Sequence, residues 1–341
     1  MWRLAMLFAA LLCQGVVGAE AADTPPVLDV PAVPNLGADG RASYANFLLM
    51  NLPRAFALAS NGQYGWYAGG GAIEAARARA LKSCADKGGT DCKLYAEDLQ
   101  VVWQGRAPVA LTQPPGPLDA NKDFALVPDP HFFWYGPAQG QGVFVWGHGK
   151  SGALQDLRNE QPQAYVRAFN NAGFDVVRFD RAPEADYPDA AADFLRTGLA
   201  ALRQKGWRML VMAGQSRGAW NSLQMLDTRG LVDAVIAVSP ASFTNQATQE
   251  ADLYRILHNA DAPAARVAVV QFTGDIYVRD MPGRVALLHG LAPPKVAAVM
   301  VIDQPEGLTG HSGGNTQVFA ERYGRCLLRF VTNPTPPATC P

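Results

Sequence analysis

The chain has 341 residues, enough for one large domain or two unequal ones, and 49% of them are hydrophobic, so a sizeable core can form. Its 29 basic and 30 acidic residues leave a formal net charge of -1, which argues against a basic groove for nucleic acid and against a strongly charged partner. A small molecule of low charge is the expected partner.

The first residues, MWRLAMLFAALLCQGVVGAEA, place Arg3 before an apolar run and end in small residues around Ala19 and Ala21. That is the three-part layout of a secretory signal peptide, so residues 1–21 are expected to be removed. An anchor helix would need about 20 unbroken apolar residues, and Gln14, Gly15 and Gly18 interrupt this run; no stable membrane span is expected after removal. A lipid anchor on Cys13 is disfavoured by the bulky Leu12.

Four cysteines remain, Cys84, Cys92, Cys326 and Cys340. An even number in an exported chain reads as disulfides. Three connectivities are open; the expected one pairs Cys84 with Cys92 and Cys326 with Cys340, closing two short loops. No histidine lies near either pair at zinc-finger spacing, so no metal is expected.

Residues 22–41, rich in proline and glycine, read as a linker. From Ala55, alternating residues on either side of Asn61-Gly62 predict a hairpin with a two-residue turn. A helix over Ile73 to Asp86 follows, with Ala76, Ala80, Leu81 and Cys84 on one face and Gly88-Gly89 as its stop. A strand from Cys92 through KLYAEDLQVVW completes a small α+β module, residues 42–105. This module resembles a family of small exported bacterial domains of unknown function, in which a Gly/Trp-rich hairpin leads to an Ala-rich helix ending in Cys and then to a Cys-led strand. The resemblance says nothing of chemistry, and a binding or packing accessory is expected. A second linker, residues 106–130, contains TQPPGP.

Residues 131–333 alternate strand and helix, the pattern of an α/β, doubly wound, mostly parallel sheet. Six strands are predicted: Val143 to Trp146, Val176 to Phe179, Met209 to Ala213, Ala234 to Val238, Val267 to Phe272 and Val296 to Ile302. Leu195, Leu199 and Leu202 mark one helix face, and Leu253, Ile256, Leu257 and Ala260 another. A closing helix, Gln317 to Val331, carries Phe319, Tyr323, Leu327 and Phe330. Residues 334–341 form a tail.

The strand RMLVMA runs into Gly214-Gln215-Ser216-Arg217-Gly218, and a helix begins at once. A tight strand-to-helix turn exposes its serine and needs glycine on both sides to relieve crowding. The stretch lacks the further glycines of a dinucleotide loop, and no cofactor is expected. A serine hydroxyl needs a base to take its proton and an acid to orient that base. Of five histidines, His258 and His289 fall at helix ends and His131 precedes the sheet. His311, in the loop GLTGHSGG after the last strand, is the expected base. The acid should follow the strand between them, which selects Asp275 ahead of Asp280 and Asp303. Backbone donors for an oxyanion are expected from Arg217 and from the glycine-rich loop Gly147-His148-Gly149-Lys150, with Lys150 favoured and Gly149 as the alternative. On this reading His148 shapes the loop and is not the base.

These segments, in this order, resemble the α/β-hydrolase superfamily: Gly147 to Lys150 its oxyanion loop, Gly214 to Gly218 its nucleophile elbow, Gly274-Asp275 with Val278 its acid turn, and Gly310-His311 its histidine loop. With no long insertion after Ala234 to Val238, the chain looks most like dienelactone-hydrolase-type or small esterase members. The resemblance implies a serine hydrolase cleaving small carboxylic esters. A peptidase or amidase on the same scaffold and a non-catalytic binding protein are the alternatives. Phe132, Phe133, Trp134, Tyr135 and Trp146 are candidate walls of an apolar pocket, although such clusters usually belong to a core. Arg217 and Lys150 are candidates to attract a carboxylate. The acidic loop Ala182 to Ala190 reads as a solvated connection, with Asp189 a helix cap.

Overall fold

A row of small side chains lets two elements lie close together, and the amino-terminal part of the chain is built that way. The computed structural model describes residues 25–105, 109–152, 155–242 and 246–340; the expected signal peptide lies outside them. Helix α1 (Ala38–Phe47) precedes strands β1 (Arg54–Leu58) and β2 (Tyr64–Ala68), helix α2 (Ile73–Asp86), and strands β3 (Lys93–Glu97) and β4 (Gln100–Val101). The antiparallel sheet has the order β2-β1-β3-β4. Ala76, Ala80 and Cys84 of α2 pack on Ala55, Ala57 and Ala59 of the sheet, and Cys84 is bonded to Cys92.

Three expectations for this part need correction. The hairpin turn has three residues, Ser60 to Gly62: Ala59 N–H donates to Gln63 O and Gly62 N–H to Ala59 O, with Gly62 at φ 81°. Asn-Gly here completes a type I turn with a left-handed residue after it. The last strand is broken into β3 and β4 by Asp98, at φ 48°, whose carboxylate accepts from the Arg54 N–H. The described part of 22–41 is no plain linker, because Val27, Val33 and Leu36 are buried with Tyr44, Phe47 and Phe56 in the module's aromatic core.

Among the described residues the second sheet has eight strands: β5 (Asp119–Ala120), β6 (Phe124–Pro128), β7 (Gly142–Gly147), β8 (Phe174–Arg181), β9 (Leu210–Gln215), β10 (Ala234–Val238), β11 (Ala262–Gln271) and β12 (Val296–Asp303). Their order is β12-β11-β10-β9-β7-β8-β6-β5. The six strands from β7 to β12 are parallel, as read from the sequence; β6 and β5 extend the edge antiparallel. Residues 119–128 therefore belong to the sheet and not to the second linker. They were missed because β5 has two residues and β6 ends in Pro128, a residue tolerated at edges.

Helices α3 (Val166–Asn171), α4 (Pro188–Gln204), α5 (Arg217–Gln224), α6 (Gln246–His258), α7 (Met281–His289) and α8 (Gln317–Thr332) complete the chain. Strand residues alternate between two cores. Val143, Val145, Leu210, Met212, Val235 and Ala237 face Leu195, Leu199, Leu202, Leu253 and Leu257 on one side. Phe144, Val211, Ala213, Ile236 and Val238 face Phe169, Phe319, Tyr323, Leu327 and Phe330 on the other. Each of these large side chains contributes roughly 1.5–3 kcal/mol by leaving water. Cys326 of α8 is bonded to Cys340. The two parts of the molecule are joined by hydrogen bonds: Leu52 and Gln161 exchange a pair, Asn51 donates to Pro162 O, and Asn171 to Leu48 O. Among the described residues no helix is long and apolar enough to cross a membrane.

Candidate active site

Parallel strands deliver their carboxyl ends to one edge, where connecting loops converge. Ser216 leaves β9, Asp275 follows β11, His311 follows β12, and the loop His148 to Gly152 follows β7. Ser216 has φ 54° and ψ -113°, a strained conformation for a side chain with a Cβ. The strain is imposed by crowding: a Cβ on Gly214 would lie 2.5 Å from the Gly218 carbonyl carbon, and one on Gly218 would lie 2.0 Å from the Gly147 oxygen. Backbone bonds from Ser216 N–H to Val238 O (3.0 Å), and from Trp220 and Ala241 N–H to Ser216 O (2.9 and 3.2 Å), hold the turn.

His311 and Asp275 are brought together by a bond from Gly310 N–H to Thr273 O, 2.8 Å, and by a bridge between Thr273 and Thr309. Nδ1 of His311 lies 3.0 and 2.9 Å from the two Asp275 oxygens. Asp275 is buried and also accepts from Tyr277 N–H at 2.9 Å. The Tyr277 ring stands edge-on to the His311 ring, 4.4 Å between centroids. Nε2 of His311 is buried and has no hydrogen-bond partner among the described residues. His311 and Ser216 line one cavity of about 580 Å³ with Gly149, Lys150, Gln155 and Leu157. Nε2 makes no hydrogen bond to the Ser216 hydroxyl.

Asp280 is engaged elsewhere, accepting from Gly283 N–H to cap α7; Asp303 is exposed and accepts from Gln304. His258 and His289 end α6 and α7. His131 bonds Asp129 at 2.8 Å.

The loop after β7 is held from beneath. His148 is buried; its Nε2 accepts from Arg181 N–H at 3.1 Å, which leaves the proton on Nδ1, 2.6 Å from Gly149 O. Burial and the nearby Arg181 guanidinium push its pKa well below the ordinary histidine value. Arg181, fully buried, donates to His148 O and Gly149 O. The Gly149–Lys150 peptide is planar and trans, so with its carbonyl fixed toward Arg181 its N–H points the opposite way. Asp186 balances Arg181 at 3.0 Å and accepts from Ser151 N–H at 3.0 Å. Arg217 N–H, at the first position of α5, has no intrahelical acceptor.

Sequence reasoning missed Arg181 and Asp186. The acidic loop is solvated only in part: Glu184, Tyr187 and Asp189 are exposed, but Asp186 is 6% exposed. Asp189 is not the cap either: Tyr187 holds that position, and Asp189 accepts from Gln224. The Arg217 side chain is buried, donates to Asp186 O and lies 3.8 Å from its carboxylate, so its charge is directed inward. Burial, with Arg181 nearby, lowers its pKa to about 10. Phe132 and Phe133 lie in two cores and do not wall the cavity. Among the described residues no group of three or more His, Cys, Asp or Glu side chains could hold a metal.

No family model matches the chain, and no curated protein does. Solved structures do. An esterase of Pyrococcus furiosus shares 13% identity, covering 60% of this chain and 84% of its own, with a TM-score of 0.41. Est1E from Butyrivibrio proteoclasticus shares 15%, covering 62% and 96%, at 0.43. Dipeptidyl peptidase 4 of Porphyromonas gingivalis shares 15%, covering 60% and 33%, at 0.44. Identities and scores this low carry no argument about activity. By the order and direction of its own strands, and by the edge at which its loops converge, the larger part of the chain has the α/β-hydrolase fold.

Proposed function

We propose that the protein is a serine hydrolase that cleaves carboxylic esters through an acyl-enzyme on Ser216. His311 Nε2 takes the Ser216 proton as its oxygen attacks the ester carbonyl, then returns it to the departing alcohol; water repeats the cycle to release the acid. Asp275 keeps the proton on Nδ1 and stabilises the imidazolium. Arg217 N–H and Lys150 N–H supply the oxyanion donors, and the anchoring of the Gly149 carbonyl favours Lys150 over Gly149. The observation that carries the reading is His311, which lines one cavity with Ser216, held by Asp275 at Nδ1 while its Nε2 has no hydrogen-bond partner among the described residues. Two disulfides support a periplasmic or secreted location, because such bonds persist in oxidising compartments. We read residues 42–105 as an accessory module.

The test is covalent labelling by a fluorophosphonate probe of residues 22–341 expressed through an oxidising compartment. Labelling is expected in the native protein and not in Ser216→Ala. A folded native protein that does not label, or a variant that labels equally, would favour the binding-protein reading. Peptide substrates cleaved as fast as esters would favour the amidase.

A further inference from the structure

Buried polar atoms in native proteins are almost always paired, and three that are not belong to residues around one cavity. This second cavity, of about 340 Å³, shares Gly149, Gln155 and Gln215 with the cavity of Ser216 and is the more enclosed of the two. Asn51, Trp146 and Gln163 line it, and Asn51 Oδ1, Trp146 Nε1 and Gln163 Oε1 are buried with no hydrogen-bond partner among the described residues. Two of them have their other end fixed. Asn51 Nδ2 donates to Pro162 O at 2.8 Å, and Gln163 Nε2 donates to Asn315 Oδ1. Gln161 on the same wall is different: both ends of its amide are engaged by the Leu52 backbone.

We propose that this cavity binds a neutral polyhydroxylated group of the ester, a sugar ring or a short polyol, beside the scissile bond. The inference rests on the proposed role of Ser216. Its core is the mixture of unpaired types, two acceptors and one donor. A hydroxyl both donates and accepts, so two neighbouring hydroxyls satisfy all three: each donates to one carbonyl oxygen, and one of them accepts from the Trp146 N–H. A carboxylate would face two carbonyl oxygens and the Glu160 carboxylate; an ammonium would leave the Trp146 N–H unmet. A peptide also offers donors and acceptors, but its chain has to run on, which suits an open groove better than this recess. Asn51 comes from the amino-terminal module, which on this inference completes the substrate site.

The experiment compares kcat/KM for methyl 6-O-acetylglucopyranoside and for cyclohexylmethyl acetate, a ring of similar size without hydroxyls, and includes the acetyl ester of a serine dipeptide. The native protein is expected to favour the glucoside at least tenfold over the carbocycle. Gln163→Met, and independently the more exposed Asn315→Leu, should lower that ratio several-fold, the effect of losing one or two neutral hydrogen bonds. The ratio is internal to each preparation, so partial misfolding cancels from it. A native protein that labels at Ser216 yet treats the two rings alike, prefers the dipeptide ester, or keeps its ratio in both variants overturns this inference and leaves the triad standing. Failure to label would overturn both.

Discussion

One nitrogen of His311 spans both oxygens of Asp275, with Nδ1 at 3.0 Å from one and 2.9 Å from the other. A carboxylate so placed fixes the tautomer and leaves Nε2 able to accept a proton.

Asp275→Asn is therefore expected to lower kcat by about 10³–10⁴ with little change in KM, since an amide can present a donor to Nδ1 and trap the wrong tautomer. Asp280→Asn, which alters a helix cap, should leave kcat within about twofold. Steady-state kinetics on an activated ester, with circular dichroism to verify folding, decides between them. Equal losses would reassign the acid.

Gly218 is confined by the end of β7: a Cβ there would lie 2.0 Å from Gly147 O and 2.3 Å from its carbon. Backbone cannot yield as a flexible side chain can. Gly218→Ala should destabilise by about 1–3 kcal/mol, the ordinary range for overpacking, and should abolish labelling by displacing Ser216. Urea denaturation followed by tryptophan fluorescence gives the first quantity. Retention of native stability would mean the turn relaxes in solution.

His148 links pH to stability. Its folded pKa lies well below the ordinary value, so as pH falls through about 6.5 the unfolded chain takes up a proton that the folded chain refuses. Its contribution is intact above that pH and is lost on acidification, by up to about 1.4 kcal/mol per pH unit. Unfolding free energies at pH 7.5 and 5.5 should diverge for the native protein and diverge less for His148→Gln. An equal pH dependence in both would place the acid sensitivity elsewhere.

The parallel sheet was legible because the central strands β7 to β10 are buried on both faces, because β11 and the edge strand β12 still read as short apolar runs, and because the helices carry their apolar residues at helical spacing. Ser216, Asp275 and His311 were legible because each sits in a loop directly after a strand, so chain order alone brings them to one edge. Other features depend on contacts between distant segments. Nothing local marks Arg181 and Asp186 as the support of the Gly149 carbonyl, because burial of a charge is decided by the partner it meets. The role of Asn51 beside the second cavity depends on how the two parts of the chain dock. The broken strand at Asp98 turns on the same kind of contact, its carboxylate meeting the Arg54 N–H across the sheet.

Arg54 makes the strongest stability prediction. It is fully buried, and its guanidinium donates to the carbonyls of Phe47, Leu48, Met50 and Asp98, gathering the end of α1 and the β3–β4 turn around one charge. Burial lowers its pKa to about 10, so it stays protonated at neutral pH. Arg54→Met fills similar volume but leaves those carbonyls with fewer donors, at about 1–3 kcal/mol for each buried group left unpaired. A total loss of at least about 3 kcal/mol is expected. Arg54→Lys should recover only part of it, since an ammonium lacks the planar fork that reaches several acceptors. Leu48 O also accepts from Asn171, so the loss should loosen the docking of the two parts. Hydrogen exchange should therefore rise in β1 to β3 and around Asn171 well before it rises in β9 and β10. Uniform exchange across both sheets would show instead that the protein unfolds as one unit and that Arg54 acts on the whole.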